Sequence, residues 1–203
     1  MFSIRICTTA GCRRHAVERS DVCFGHVSDR TAYLEDLKSW MAPQRDFAGL
    51  SLGRQVWEGM DLRGRSFEGC NFMGCRWENV QLDGSSFRHC FLDFGVFKHC
   101  SFQKTSFLFC SVSGARMESC DWKGSDLLHV NFNALEAMET QFSESDLYFT
   151  RFIGAKLNQV DFIDCNLKKT QFTGSWLQDV NFKYSNYEEA EFDVAPGAPG
   201  VPS

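Results

Sequence analysis

A large side chain recurs at every fifth residue from Phe47 to Phe192, without an insertion or a deletion. The series opens with Phe47, Leu52, Trp57 and Leu62, closes with Leu177, Phe182, Tyr187 and Phe192, and has Ala137 as its only small member. A five-residue step rotates by about 140° on a helix, which would scatter these residues around every face. On a flat strand, an odd step alternates between the two sides. The chain must therefore turn a corner at each repeat.

Four sides of five residues close a square coil of 20 residues, and successive coils pair their backbones about 4.8 Å apart. The position two before each large residue is mostly small, as in Cys70, Cys90 and Ala115, which suits a narrow interior. Glycine recurs two after the large residue, as in Gly59 and Gly64, where a corner with positive φ favours it. The sequence predicts an all-β, quadrilateral parallel β-solenoid over residues 46–193.

Several segments carry a recognisable five-residue motif: CNFMG (70–74), CSFQK (100–104), SDLLH (125–129) and CNLKK (165–169). They resemble the A(D/N)LXX motif, or its Phe variant, of pentapeptide-repeat proteins. The resemblance implies a right-handed four-sided β-solenoid, and it suggests a protein-binding role, since gyrase-protecting members of that family mimic DNA and dimerise end to end. The chain departs from the motif at Phe91, at Trp176 and around NALEAMET (133–140), where we expect a coil to bulge.

Two His-Cys pairs, His89-Cys90 and His99-Cys100, suggest zinc at first sight. The register of the repeat places both cysteines in the small inward column and both histidines outside the wall. The pairs therefore cannot share a metal, and we expect the core cysteines to be free thiols that act as small hydrophobes.

A better metal motif precedes the repeat, with the spacing Cys7-x4-Cys12-x10-Cys23-x2-His26. Two close ligand pairs separated by a loop suit tetrahedral zinc, and four protein ligands close the site, which makes it structural. The stretch resembles short Cys3His zinc-knuckle motifs. We expect residues 1–27 to form a zinc-binding module with Zn2+ as a structural cofactor. His15 as a substitute ligand, and a cap of unliganded thiols, remain alternatives.

Residues 28–45 are predicted to form a capping helix, with Tyr33, Leu37 and Trp40 at helical spacing. Ser28 is the predicted N-cap, and Pro43 is predicted to end the helix. A solenoid must cover its first coil, because open β edges invite uncontrolled pairing. The alternative is that the module and the helix form a separate recognition domain.

The last segment, residues 194–203, is rich in Pro and Gly and is predicted to be a disordered tail. It offers no comparable cap, so the last coil is expected to be exposed. Pairing of two such ends would give a homodimer through the C-terminal coil.

Outside the core register, large side chains recur 20 residues apart on one face of the predicted solenoid. The members of this interaction patch are Leu108, Phe109, Leu128, His129, Tyr148 and Phe149. A contiguous exposed apolar patch usually marks an interface. The alternative is that these rings fold along the wall and are covered by their neighbours.

Charge and motifs narrow the function classes. The net charge is −5, and the repeat from Asp46 to Asp193 holds 21 acidic and 14 basic residues, a density far below that of DNA. No nucleophile–base pair or phosphate loop is evident, so we expect no enzyme. The sequence begins without an apolar h-region and contains no membrane-length apolar run, which favours a cytoplasmic protein.

The sequence favours a non-enzymatic scaffold that binds an unknown protein partner through an outer face of the solenoid. One alternative is a DNA-mimic modulator of a topoisomerase such as gyrase. The other is nucleic-acid contact through the N-terminal module, with Arg13, Arg14 and Arg19 as the contacts, although the mild acidity makes nucleic acid an unlikely partner.

Overall fold

Parallel strand pairs whose partners are 20 residues apart build most of the protein, as in Phe47 beside Phe67 and Trp57 beside Trp77. The structure is a computed structural model and describes residues 5–193. One side of the column is a five-stranded sheet, and a second side is a sheet of seven strands with one strand per turn, which gives about seven turns. Isolated parallel bridges, again 20 residues apart, join the turns on the other sides. The predicted β-solenoid is confirmed.

The strands are short, because each side of the coil holds only one repeat. They are β1 (Asp46–Ala48), β2 (Val56–Glu58), β3 (Ser66–Glu68), β4 (Arg76–Glu78), β5 (Ser86–Arg88), β6 (Val96–Lys98), β7 (Ser106–Leu108), β8 (Arg116–Glu118), β9 (Asp126–Leu128), β10 (Glu136–Gln141), β11 (Lys156–Asp161) and β12 (Trp176–Gln178). The sheet orders are β1-β3-β5-β7-β9 and β12-β11-β10-β8-β6-β4-β2.

The large residues of the five-residue series point inward and stack in columns from coil to coil. The rings of Phe87 and Phe107 lie 4.4 Å apart, and those of Phe102 and Trp122 lie 3.9 Å apart and nearly parallel. Rings from adjacent sides meet edge to face, as Phe107 meets Trp122 at 5.0 Å. Edge-to-face and offset contacts are the favourable aromatic geometries. The interior is therefore a packed column of side chains.

The small inward residues also have a hydrogen-bonding role that size alone does not predict. The Sγ of Cys90 donates to the backbone carbonyl of Phe67 at 3.4 Å, and the Oγ of Ser145 donates to that of Trp122 at 2.9 Å. In both cases the acceptor lies 23 residues earlier, in the preceding coil. A short thiol or hydroxyl at this position thus pairs a buried carbonyl that the corner leaves free.

The corners turn through the residue two after each large one, which adopts a positive φ in repeat after repeat. Gly59 and Gly154 have φ of 59° and 66°, as predicted for glycine corners. Many corners hold other residues in the same conformation, including Phe109 at 54° and His129 at 56°. A side chain with a Cβ in this region costs roughly 1–2 kcal/mol. The corner geometry is thus imposed by the repeat even where the residue resists it.

The segment around NALEAMET does not bulge, so that prediction is wrong. Ala137 pairs with Met117 on one side and Leu157 on the other, in unbroken register. The small Ala137 is offset by Leu135, a large and fully buried residue in the position that is usually small. The two positions have exchanged sizes, so the interior stays filled. The strand here continues around the corner to Gln141.

The helix α1, Arg30–Met41, lies over the first coil and buries Leu37 and Met41 in the same core as the solenoid. Its N-cap is Asp29, whose Oδ1 accepts the Ala32 N–H at 2.9 Å. The prediction of Ser28 is wrong by one residue, because it is the Asp29 carboxylate that caps the first turn. The Nη1 of Arg65 donates to the backbone carbonyl of Met41 at 2.6 Å, which caps the other end.

Within residues 5–193, no helix combines the length and the apolar character needed to cross a bilayer. The predicted tail, 194–203, lies outside the described residues.

Candidate functional site

The four predicted zinc ligands come together in the structure. Cys7, Cys12, Cys23 and His26 place their ligand atoms within 4.8 Å of one another. The Sγ of Cys7 lies 3.3 Å from Nδ1 of His26, and the sulfurs of Cys12 and Cys23 lie 3.9 Å apart. Ordinary zinc bond lengths in a tetrahedron give ligand–ligand distances of about 3.5–3.8 Å. The group therefore has the dimensions of a tetrahedral metal centre.

Local backbone hydrogen bonds place each ligand pair. The Cys12 N–H donates to the Thr9 carbonyl at 3.0 Å, which makes a tight turn between the first two cysteines. A single 3-10 turn, Phe24–His26, follows Cys23, and the His26 N–H donates to the Cys23 carbonyl at 2.8 Å. The two-residue spacing thus brings Cys23 and His26 onto the same side of one turn.

His15 does not join the metal-ligand group. It lies opposite Ile6 in an antiparallel bridge, next to Arg14, whose carbonyl accepts the Cys7 N–H at 2.9 Å. That bridge holds the first ligand in place and directs His15 away from the other sulfurs.

The thiols of the group differ in acidity. Burial raises the pKa of the Cys7 thiol, but hydrogen bonds from Thr9, His26 and the Cys23 backbone outweigh it and bring the pKa to about 5. Burial and hydrogen bonding to Cys12 and Cys7 raise the pKa of Cys23. A hydrogen bond to Cys12 raises the pKa of Arg14, so a guanidinium charge lies beside the sulfurs. Such an outer partner orients the ligands of a metal site.

Direct hydrogen bonds fix the N-terminal module to the first coil. The Glu18 N–H donates to the Ser51 carbonyl at 2.7 Å, and the Ser51 hydroxyl donates to the Ala16 carbonyl at 3.1 Å. The Tyr33 hydroxyl of α1 donates to the Glu18 carbonyl and accepts the Gln55 amide, both at 3.0 Å. Tyr33 therefore connects the module, the helix and the solenoid.

The second candidate site is a row of exposed rings at one corner of the column, which we call the corner ladder. Its members, 20 residues apart, are His89, Phe109, His129, Phe149 and Lys169. Adjacent ring centroids lie 5.5, 5.0 and 5.0 Å apart in chain order. The Nζ of Lys169 lies 4.5 Å from the Phe149 centroid, in cation–π contact. The ladder thus runs unbroken across five coils.

The other members of the predicted patch lie beside the ladder. Leu108 and Leu128 pair as the last residues of β7 and β9, and the Tyr148 ring meets Phe149 edge to face at 4.8 Å. Phe109 remains 54% exposed and Phe149 39% exposed, so their neighbours do not cover them. The six predicted residues form one continuous surface.

The sequence analysis assigned His89 and Lys169 to no surface, although both belong to the ladder. The signal was present, because both lie 20 residues from a predicted patch member. The residue pairs that contain them, Arg88-His89 and Lys168-Lys169, hold no apolar side chain, so an apolar pattern does not reveal them. His89 and His99 are both exposed while Cys90 and Cys100 are buried, as the register predicted. The core cysteines are free thiols.

Residues 115–192 match the family model described as a pentapeptide repeat region. This match covers the later coils of the β-solenoid. A comparison with curated protein sequences finds no significant match.

Three solved structures are similar to the chain to different degrees, and one of them supports the fold of the column. A trypsin-treated form of QnrB1, a plasmid-mediated fluoroquinolone resistance protein, is 18% identical, with 72% of this chain and 79% of that chain covered and a TM-score of 0.62. HetL, from the cyanobacterium Nostoc sp. strain PCC 7120, is 12% identical, with 77% and 94% covered and a TM-score of 0.34. A pentapeptide repeat protein of the Arabidopsis thaliana thylakoid lumen is 17% identical, with 63% and 72% covered and a TM-score of 0.29. The likeness to QnrB1 establishes the fold alone.

Proposed function

We propose that this pentapeptide-repeat protein is a non-enzymatic scaffold that binds a protein partner through the corner ladder and the adjoining Leu108, Leu128 and Tyr148. Apolar ring edges line this surface, and an exposed cation, Lys169, ends it. Rigid aromatic anchors are the groups that carry most binding energy at protein interfaces. The β-solenoid holds them at fixed spacing without the ordering cost of a flexible loop.

One observation carries the proposal: the fold does not require rings at these corners. A different corner uses Gly74, Gly114, Gly154 and Gly174 at the equivalent register, all with positive φ. Glycine adopts this conformation without strain, whereas Phe109 and Phe149 hold it at a cost of roughly 1–2 kcal/mol each. A partner surface explains rings that folding alone does not need.

We also propose that Cys7, Cys12, Cys23 and His26 bind a structural zinc ion. The donor set of three sulfurs and one imidazole nitrogen suits zinc, and four protein ligands leave no open position for a reactive water. The ion would fix the module that covers the first coil, through Tyr33 and Ser51. This role requires no catalysis.

A DNA-mimic role toward a topoisomerase such as gyrase remains a second proposal that the described surface supports less well. The solenoid has a net charge of −7 over residues 46–193, and several of its carboxylates are already paired. Lys98–Glu118 and Lys156–Glu136 are such pairs, at 2.5 and 3.1 Å. A gyrase supercoiling assay without inhibition or quinolone protection would remove this alternative.

The scaffold proposal is tested by a pull-down from native cytosol with the wild type and the double variant Phe109→Ser/Phe149→Ser. The matched control is Phe94→Ser, an exposed Phe with the same positive φ at another corner. We expect the double variant to keep its circular dichroism spectrum and thermal midpoint and to lose the bound protein. The control should retain it. Equal capture by all three proteins would refute the proposed surface.

A further inference from the structure

A cleft of about 240 Å³ lies where the N-terminal module meets the first coils of the solenoid. The module contributes Arg13, Arg14 and His15 to its walls, and the first coil contributes Arg54. No carboxylate is among the residues that line it. The cleft is therefore a positively charged recess on a protein whose net charge is −5.

Within residues 5–193, two of the arginines in this cleft, Arg13 and Arg54, are not paired with an acidic side chain, whereas Arg14 lies beside the sulfurs of Cys12 and Cys23. Among the described residues, neither Arg13 nor Arg54 forms an ion pair. Arg19, only a few residues away in sequence, differs: its Nε lies 3.1 Å from Asp36 and its guanidinium lies over Trp40. Arg19 therefore stays out of the cleft, contrary to the grouping of Arg13, Arg14 and Arg19 in the sequence analysis.

The backbone around the cleft lets these groups approach closely. A Cβ added at Gly25 would lie 2.8 Å from Nη1 of Arg14, so the guanidinium packs directly on the Gly25 backbone. Arg54 lies over Gly74, where an added Cβ would be 3.5 Å from its Cγ. Both arginines are thus positioned by contacts and not free to spread over the surface.

The floor of the cleft offers a further donor. Asn71 lines it and is 5% exposed. Its Oδ1 accepts the Met73 N–H at 3.0 Å, so the group it can offer to a ligand is the Nδ2 amide. Guanidinium and amide donors that converge without a carboxylate suit an anion with several acceptor oxygens.

We propose that this cleft binds a phosphate group. Its volume is below the roughly 300–1,000 Å³ of pockets for drug-sized ligands, so it suits a single phosphate and not a whole nucleotide. Arg13 and Arg54 would each donate to the oxygens from opposite walls, with Arg14 and Asn71 behind them. The phosphate can come from a small phosphate ester or inorganic phosphate, or from the backbone of a nucleic acid. This site is separate from the corner ladder and does not depend on the proposed scaffold function.

The test is isothermal titration of the full chain at low, constant ionic strength with two probes, inorganic phosphate and a ten-nucleotide single-stranded DNA. The variants are Arg13→Gln, Arg54→Gln and the pair together, and the control is Arg151→Gln, an exposed solenoid arginine outside the cleft. Thermal unfolding confirms that each variant is folded. Within residues 5–193 the Arg13 side chain makes no ion pair, so Arg13→Gln keeps the test valid if Arg54→Gln perturbs its corner.

We expect each single variant to weaken binding by at least about tenfold, since a charge-assisted hydrogen bond is lost, while the control binds as the wild type does. Tight binding of phosphate identifies a small phosphate ligand. Binding of the oligonucleotide alone, with a salt dependence that decreases by about one per arginine removed, identifies a nucleic-acid backbone. Failure of both probes to bind the wild type, or binding that survives the paired substitution, overturns the proposal.

Discussion

The hydroxyl of Ser125 links its own coil to the preceding one: it donates to the Phe102 carbonyl at 2.8 Å and accepts the Thr105 N–H at 3.1 Å. These two groups lie in the coil before Ser125, where the Thr105 N–H also makes a longer hydrogen bond of 3.3 Å to the Phe102 carbonyl. The Thr105 hydroxyl donates to the same carbonyl at 2.7 Å. The small inward position is therefore a polar clamp between coils as well as a space filler.

Ser125→Ala should lower the free energy of unfolding by about 1 kcal/mol, because the buried Thr105 N–H keeps only its longer hydrogen bond to the Phe102 carbonyl and that carbonyl loses one donor. Ser125→Cys should cost less, since Cys90 makes the equivalent contact with Phe67 elsewhere in the column. Urea unfolding followed by tryptophan fluorescence measures both. Equal losses in the two variants would show that the position responds to size and not to hydrogen bonding.

Native protein purified without chelator should contain one zinc ion per chain by elemental analysis. Cys12→Ser should remove the metal, because three remaining ligands bind zinc far more weakly. Limited proteolysis should then cleave within residues 5–27 while the solenoid keeps its β spectrum. Well under one zinc per chain in untreated protein would contradict the metal centre.

Phe94→Gly should raise the free energy of unfolding by about 1 kcal/mol, because an exposed ring at φ of 57° is replaced by a residue without strain there. The reverse change, Gly154→Ala, should lower it by a similar amount. Nothing lies within 4 Å of a Cβ at Gly154, so that loss would report the backbone conformation alone. Denaturant unfolding of both variants checks the pair. No difference between them would show that the corners tolerate any residue.

Alkaline pH should destabilise the protein through its buried thiols. Burial raises the pKa of Cys75 and of Cys165 to about 12, from an ordinary value of 9.0. The folded state then holds protons that the unfolded state has lost, so the stabilisation is complete below pH 9 and declines as pH rises toward 12. At pH 10 the loss is about 1 kcal/mol per thiol.

The double variant Cys75→Ala/Cys165→Ala should show a smaller loss of stability between pH 8 and pH 10 in urea titrations, whatever its stability at pH 7. An identical pH slope in the variant would exclude these two thiols as the source.

The last coil should pair with a second copy of the protein. The strand β12 is the edge of the seven-stranded sheet, and Trp176 on it is 54% exposed. Among residues 5–193, β12 pairs with a strand on one side only, and an apolar β edge readily recruits another chain. Light scattering at high concentration should report a dimer, and Trp176→Glu should reduce it to a monomer. The control is Val56→Glu, an exposed residue at the opposite edge of the same sheet. A monomeric wild type would refute dimerisation.

The sequence was sufficient to predict the column, because a strict period of five leaves few other ways to bury large residues. It also predicted which four Cys and His side chains come together in the N-terminal module, because the spacing within each pair is a local property. The prediction of a bulge at NALEAMET was wrong. The large Leu135 fills the space that the small Ala137 leaves inside the coil, and the five-residue pattern does not show this compensation because it does not take the sum of the two volumes into account.

The positively charged cleft between the N-terminal module and the first coils could not be predicted from the sequence. Arg13 and Arg54 are far apart in the chain, and no period relates the module to the repeat. Their meeting depends on the angle at which the module lies on the first coil, which hydrogen bonds from Tyr33 and Ser51 set. Those contacts are tertiary, and no local sequence pattern predicts them.

Every coil contains 20 residues, so each five-residue repeat occupies one of four sides of the column. Removing a complete coil, such as residues 66–85, would shorten the solenoid by one coil and leave every later repeat on the same side of the column. Removing a single five-residue repeat would instead rotate all later repeats by a quarter turn. Deletion of one repeat between Phe109 and His129 would therefore place the two halves of the corner ladder at neighbouring corners of the column. Deletions of 20 residues would thus change only the length of the solenoid, whereas deletions of five residues would change the direction that its later surfaces face.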